Sequence, residues 1–187
     1  IPRDDQRNSK VSFDVRPASA DHAPSCSSKG VLSQLAGSRA DEVIADDCEV
    51  PNNSFTQPMR DKLSEAVKEF EAILKPNGRI TFLGTPQVEN SLYLTLEERG
   101  YETRIWTARY PNHKNNYGDR LAPRLAKNLL EGSVEPKDPV DPVRFSAQDL
   151  MEREASYGRS GFNLQFMLDT TLSDQDRYPL KINDLVI

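Results

Sequence analysis

Apolar and polar positions alternate along some segments of the chain and recur every three or four residues along others. Alternation is typical of a half-buried strand, whereas the longer spacing defines one face of an amphipathic helix. A run of apolar residues without alternation is typical of a strand buried on both faces. Strands are therefore predicted at 11–15, 30–37, 42–46 and 79–86, with a further candidate at 101–110.

Helical spacing begins at Pro58, a residue tolerated in the first turn of a helix, and predicts a helix over 58–74. A second helix is predicted over 89–100, closed by Gly100. Ser146 and Asp149 have the spacing of a capping box, so a third helix is expected from there to about Gly158, with a short fourth helix over 161–169.

Helices that alternate with strands favour an α/β fold with a mainly parallel sheet. Active sites in such sheets lie at the carboxyl ends of the strands. Asp46 and Asp47 end the strand at 42–46, and Thr85 stands at the end of the strand at 79–86. The acidic pair and the threonine are therefore expected on one rim of the sheet.

Length, net charge, cysteine number and the distribution of apolar residues limit the classes of protein to which the chain could belong. A length of 187 residues suits one core, or one domain with a small appendage. The net charge of -5 excludes a uniformly basic surface, so contact with nucleic acid would need a local patch. The 2 cysteines lie too far apart for a metal motif, and a reducing cytoplasm fits them. No run of apolar residues in the sequence is long enough for a membrane helix.

Because the chain opens on Ile1 in polar sequence, it is expected to be part of a longer polypeptide.

The segment "ADDCE" places Asp46, Asp47 and Glu49 close together. Adjacent carboxylates repel, and a divalent cation or a bound water that needs a base relieves the repulsion. An apolar strand that ends in Asp-Asp has the form of a Walker B motif and is a candidate Mg²⁺ site. Two alternatives remain: an aspartate that only caps the next turn, and a receiver domain, although "RITFLGT" lacks the further aspartate which that domain needs.

Three segments carry a specific resemblance: "GSRADEVIADDCEVPNNS", "FLGTPQVENSLYLTLEERGY" and "GFNLQFMLDTTLSDQDRYPLKINDLVI". In this order they resemble the large terminase subunit of short-tailed podoviruses, also called DNA maturase B, and the similarity extends over essentially the whole chain. The resemblance implies a middle segment of a viral genome-packaging motor, between an N-terminal P-loop ATPase and a C-terminal nuclease. The implied fold is a partial P-loop NTPase-like (ASCE) α/β core with a small, mainly helical linker subdomain.

The implied domains are the C-terminal part of the ATPase core at 1–130, a proline-rich connector at 131–143 and the linker subdomain at 144–187. The sequence differs from the family pattern because it contains no G-x-x-x-x-G-K-[ST] phosphate loop. The acidic catalytic residues of the family's nuclease domain would lie beyond Ile187. The chain alone is therefore expected to bind ATP poorly.

The resemblance also implies roles for particular residues, with ATP and Mg²⁺ as cofactors. Asp46 matches the Walker B aspartate, which holds Mg²⁺ through water, and Asp47 matches the catalytic carboxylate, with Glu49 as its rival. Thr85 matches the coupling motif that senses the γ-phosphate, and the alternative is a plain turn in "LGTP". Arg39 would act as an arginine finger, or else form an ion pair with Asp41 or another acid.

Residues 109–128 reverse the overall charge. Phosphate contacts need mobile positive charge, so this stretch is a candidate DNA contact, and a solvated helix face is the alternative. The candidate DNA-binding residues are Lys114, Arg120, Arg124 and Lys127.

As partners, the resemblance implies double-stranded DNA, a portal protein, a small terminase subunit and a homo-oligomeric ring, acting in the host cytoplasm at the procapsid portal. The alternative function is a non-catalytic interaction module that binds portal or DNA and derives from a truncated or split gene.

Overall fold

The computed structural model describes residues 6–18, 22–112 and 117–171 and has a mixed α/β architecture. The strands are β1 (Ser12–Phe13), β2 (Cys26–Ser27), β3 (Ala40–Asp46) and β4 (Leu74–Leu83). The α-helices are α1 (Pro51–Ser54), α2 (Gln57–Ile73), α3 (Leu92–Glu98), α4 (Pro123–Leu130) and α5 (Ala147–Phe166). A short 3-10 helix covers Gly118–Arg120. None of the described helices combines the length and the apolar character needed to cross a membrane.

The chain divides into two compact units. The first unit contains Ile1–Cys48 and Asp61–Leu83, and the second contains Glu49–Arg60 and Gly84–Ile187. The domain boundaries expected from the sequence stay a prediction.

A parallel pair of strands forms the centre of the first unit. β3 and β4 run parallel, with Asp46 opposite Leu83, so their carboxyl ends coincide as the sequence predicts. Leu63, Val67, Phe70 and Ile73 of α2 are buried, whereas Met59 in its first turn is exposed. The ring of Phe70 stacks 5.9 Å from that of Phe82 on β4. The predicted helix at 58–74 is confirmed, because its 3.6-residue spacing gives one continuous apolar face.

The strand predicted at 30–37 is wrong. The segment instead forms turns, in which Ser33 N donates to Gly30 O at 2.9 Å and Ser38 N donates to Leu35 O at 3.0 Å. Gly37 has a φ of 84°, which breaks an extended conformation. Glycine and serine therefore outweigh the apolar residues between them.

The strand candidate at 101–110 is also wrong, because only isolated bridges form there, from Ile105 to Leu121 and from Arg109 to Pro139. These bridges bring the segment into the core of the second unit. The core residues are Tyr110, Tyr117, Leu121, Ala122 and Leu125, with Ile105, Val134 and Val140 packed against them.

The C-terminal helix of the described region, α5, begins as predicted. Ser146 Oγ accepts from Asp149 N at 3.1 Å, and Asp149 accepts from Ser146 N at 2.9 Å, which completes the capping box. Gly158 has a φ of 70° inside α5 and divides it into two helical segments. The predicted interruption at Gly158 and the short helix after it are therefore confirmed.

Candidate functional site

Asp46 and Asp47 lie at the carboxyl end of the parallel strand pair. Asp46 is the last residue of β3, and Asp47 N donates to Leu83 O at the end of β4 at 2.9 Å. Asp47 has a φ of 46°, a left-handed conformation that aspartate adopts more readily than most residues. Both side chains are exposed. Two carboxylates thus stand in solvent at the rim where α/β proteins place their chemistry.

Cys48 marks the change from exposed to buried residues in this segment. Its side chain is 7% exposed. Burial, followed by the charges of Asp46 and Asp47, raises the pKa of the Cys48 thiol. The thiol therefore stays protonated near neutral pH and is a poor nucleophile or metal ligand.

Glu49 is buried, with only 2% of its surface exposed. Its Oε1 accepts from Gln87 N at 2.6 Å, and its Oε2 accepts from the Ser91 hydroxyl at 2.9 Å and from Leu92 N at 2.5 Å. Both carboxylate oxygens are thus engaged, and their three donors belong to the segment that follows β4.

Thr85 lies in that same segment and is half-buried. Its carbonyl oxygen accepts from Gln87 Nε2 at 3.1 Å. Asp46 and Asp47 belong to the first unit, whereas Glu49 and Thr85 belong to the second. The coupling role of Thr85 stays a prediction.

Arg39 is exposed immediately before β3, and its guanidinium donates to Ser38 O at 2.7 Å. Asp41, the alternative partner expected from the sequence, instead pairs with Lys75 at 2.9 Å. The arginine-finger role stays a prediction.

The candidate DNA-binding residues differ in their surroundings. Arg120 donates to Tyr117 O at 3.2 Å and lies 4.0 Å from the carboxylate of Glu97. On α4, Arg124 is exposed and Lys127 pairs with Glu131 at 3.7 Å, as on a solvated helix face. Lys114 lies outside the described residues.

A metal cage is not part of this site. Among residues 6–18, 22–112 and 117–171, no group of three or more histidine, cysteine, aspartate or glutamate side chains is arranged to hold a metal ion. Mg²⁺ in phosphoryl-transfer enzymes usually needs only one or two carboxylates, with waters and substrate phosphates as the other ligands. An exposed Asp46 at a strand end fits that kind of site.

Gln87 and Ser91 are functional candidates that the sequence reasoning missed. Ser91 stands directly before the apolar positions of α3, and its side chain accepts from Tyr93 N as the N-cap. That capping position is readable from the sequence. Nothing local indicates that the same hydroxyl donates to a carboxylate 42 residues earlier.

These observations define an α/β protein with an exposed acidic pair at the carboxyl end of parallel strands. No family model matches the chain. The chain is 51% identical over 193 residues to the "Terminase, large subunit" of Enterobacteria phage T3, a match that covers 100% of this chain and 33% of the relative. The chain is thus homologous over its whole length to a part of a phage large terminase subunit, and the resemblance expected from the sequence is confirmed. It spans only 33% of the length of that relative.

Proposed function

We propose that this chain is part of a viral DNA-packaging motor, the large terminase subunit, which couples ATP hydrolysis to DNA translocation into a procapsid. The observation that carries the proposal is the position of Asp46 and Asp47 at the end of β3, beside the parallel strand β4. The 51% identity to a terminase large subunit gives this geometry its context.

A P-loop NTPase-like core is the fold we propose for the first unit. β3 and β4 are neighbouring parallel strands joined through α2, which is the connection such sheets use. Ile44 on β3 is 61% exposed and Leu83 on β4 is 50% exposed. Apolar side chains on a parallel sheet are usually covered on both faces, so their exposure supports further elements that pack on this sheet in the whole protein.

In the proposed reaction, Asp47 would orient the water that attacks the γ-phosphate of ATP, and Asp46 would hold Mg²⁺ through water. When bound, the metal would supply positive charge that offsets the charge of the phosphate oxygens. We assign the water-orienting role to Asp47 because its carboxylate is exposed, whereas both oxygens of Glu49 already accept hydrogen bonds. The phosphate loop, which this sequence lacks, would come from elsewhere in the protein or from a partner chain.

The proposal includes the partners of such a motor: double-stranded DNA, a portal protein, a small terminase subunit and further copies of the subunit in a ring. The motor would act in the host cell at the procapsid portal. Arg39 would face the nucleotide of a neighbouring copy, and the exposed Arg124 on α4 would contact DNA phosphates.

The absence of a phosphate loop from the sequence favours a second candidate, a non-catalytic module that binds portal or DNA. Mg²⁺-dependent ATP hydrolysis distinguishes the two. We would measure it for the 187-residue chain and for the full-length subunit, each with its Asp47→Asn variant. Asp41→Asn is the matched control, because Asp41 is an exposed acid on the same strand.

Activity only in the full-length protein, lost in Asp47→Asn and kept in Asp41→Asn, supports the motor. Absence of activity from both lengths supports the interaction module. If the full-length Asp47→Asn variant were as active as the wild type, Asp47 would have no role in the reaction.

A further inference from the structure

The segment 85–92 is held by a chain of hydrogen bonds that starts at one buried carboxylate. Glu49 accepts from Gln87 N, and the Gln87 side chain donates to Thr85 O at 3.1 Å. Thr85 is therefore connected to Glu49 through a single intervening residue. Gln87 is itself buried, so water does not compete strongly for these bonds.

The second oxygen of Glu49 holds the other end of the segment. It accepts from Leu92 N, the first backbone amide of α3, and from the Ser91 hydroxyl. Ser91 Oγ in turn accepts from Tyr93 N at 3.2 Å. Amide groups in the first turn of a helix lack partners within the helix, and a carboxylate is a favourable acceptor there. Glu49 thus anchors both Gln87 and the start of α3.

We propose that Glu49 is a positioning residue for ATP hydrolysis, which holds the loop that carries Thr85 in place through its hydrogen bond with Gln87. The inference rests on the proposed function and extends it. Glu49 follows Asp47 by two residues in the sequence, and its hydrogen bonds hold the loop that carries Thr85. Because Glu49 binds both Gln87 and Leu92, the residues from Thr85 to Leu92 would move together.

The first test is amide hydrogen exchange in the full-length subunit with the substitution Glu49→Gln. Glutamine keeps the shape but places an NH₂ group where a carboxylate oxygen accepts from N–H or O–H donors. We expect exchange at Gln87 and Leu92 to accelerate on the order of tenfold or more. The control is Glu98→Gln, at an exposed glutamate on α3, which should leave both amides unchanged. Unchanged exchange in Glu49→Gln would overturn the proposal.

The second test is a double-mutant cycle on kcat with Glu49→Gln and Thr85→Ala. If Glu49 acts through Thr85, Glu49→Gln alone should lower kcat about tenfold with an unchanged KM for ATP, and only about twofold in the Thr85→Ala background. A merely structural glutamate would accelerate amide exchange and leave kcat per folded molecule unaltered, which contradicts the proposal.

Other outcomes separate this inference from the proposed function. Independent effects of the two substitutions, or a loss in Glu49→Gln as large as that in Asp47→Asn without faster exchange, would overturn the positioning role and leave the motor standing. If the wild-type subunit does not hydrolyse ATP, the proposed function and this inference both fail.

Discussion

The acidic pair and Glu49 lie within four consecutive residues of the chain, yet their surroundings are opposite. Asp46 and Asp47 are exposed at the end of β3. Glu49 is 2% exposed and accepts hydrogen bonds from three donors. An exposed carboxylate exchanges water freely and can take part in metal or proton chemistry. A buried carboxylate with both oxygens engaged would have to break those bonds first, at a cost of about 1–3 kcal/mol for each unsatisfied group. Spacing alone therefore does not assign the role of an acid.

The largest effect is expected on ATP hydrolysis, where substitutions of the two exposed acids should have different kinetic consequences. Asp47→Asn should lower kcat for ATP hydrolysis on the order of 100-fold or more, because the neutral amide loses the negative charge and one of the two acceptor oxygens that orient the attacking water. The Mg²⁺ concentration at half-maximal activity should stay the same. Asp46→Asn should instead raise that Mg²⁺ concentration. Steady-state kinetics of the full-length subunit over a Mg²⁺ titration measure both, and identical responses in the two variants would contradict the assignment.

Cysteine labelling tests whether the chain becomes buried directly after the exposed Asp47. Cys26 is exposed on β2, whereas Cys48 is buried beside the acids and its thiol pKa is raised by burial. Alkylation at pH 7.5 should be slower at Cys48 on the order of 100-fold, because both thiolate fraction and access are reduced. Peptide mapping by mass spectrometry reads each thiol separately in one sample. Similar rates at the two thiols would mean that the chain beyond Asp47 is not buried.

Asp14 offers a second buried carboxylate for comparison with Glu49. Hydrogen bonds from Arg7 N and Ser25 N lower the pKa of Asp14, and the Arg7 charge adds to them. Because the folded pKa is depressed, this stabilisation is present above the unfolded pKa of about 3.9 and is lost as pH falls through the folded value. Protection of residues 6–18 from amide exchange should therefore decrease between pH 5 and pH 3.

Asp14→Asn should be less protected at pH 5 and should change little with pH. Asp41→Asn, at an exposed acid, serves as the control. A wild-type protein whose protection is constant over this range would show that the Asp14 hydrogen bonds do not hold the segment.

The smallest effect is expected for the capping box at the start of α5. There the exposed carboxylate of Asp149 and the side chain of Ser146 form reciprocal hydrogen bonds. Ser146→Ala should destabilise the first turn by about 1 kcal/mol, seen as roughly fivefold faster amide exchange there. Ser156→Ala, at an exposed serine within α5, is the matched control. Equal effects at the two serines would show that the cap adds nothing beyond helix propensity.

Several elements were predictable because they depend on local patterns. The spacing of Leu63, Val67 and Phe70 defines the buried face of α2, and the apolar run before Asp46 defines β3. Gly158 interrupts α5 because its backbone adopts a positive φ. The segment at 30–37 failed the same reasoning, since its turns are closed by Gly30 and Leu35 carbonyls that no periodicity encodes.

The sequence by itself determined the terminase resemblance, the parallel strand pair and the position of Asp46 and Asp47 at its end. These follow from residue order and from periods of two and 3.6, which act over a few residues. Only the tertiary structure separated Glu49 from its neighbours, because its partners Gln87, Ser91 and Leu92 lie 38 to 43 residues away along the chain. Burial and hydrogen bonding between distant segments have no local pattern, and they decide that two of the three nearby acids remain open to solvent while Glu49 does not.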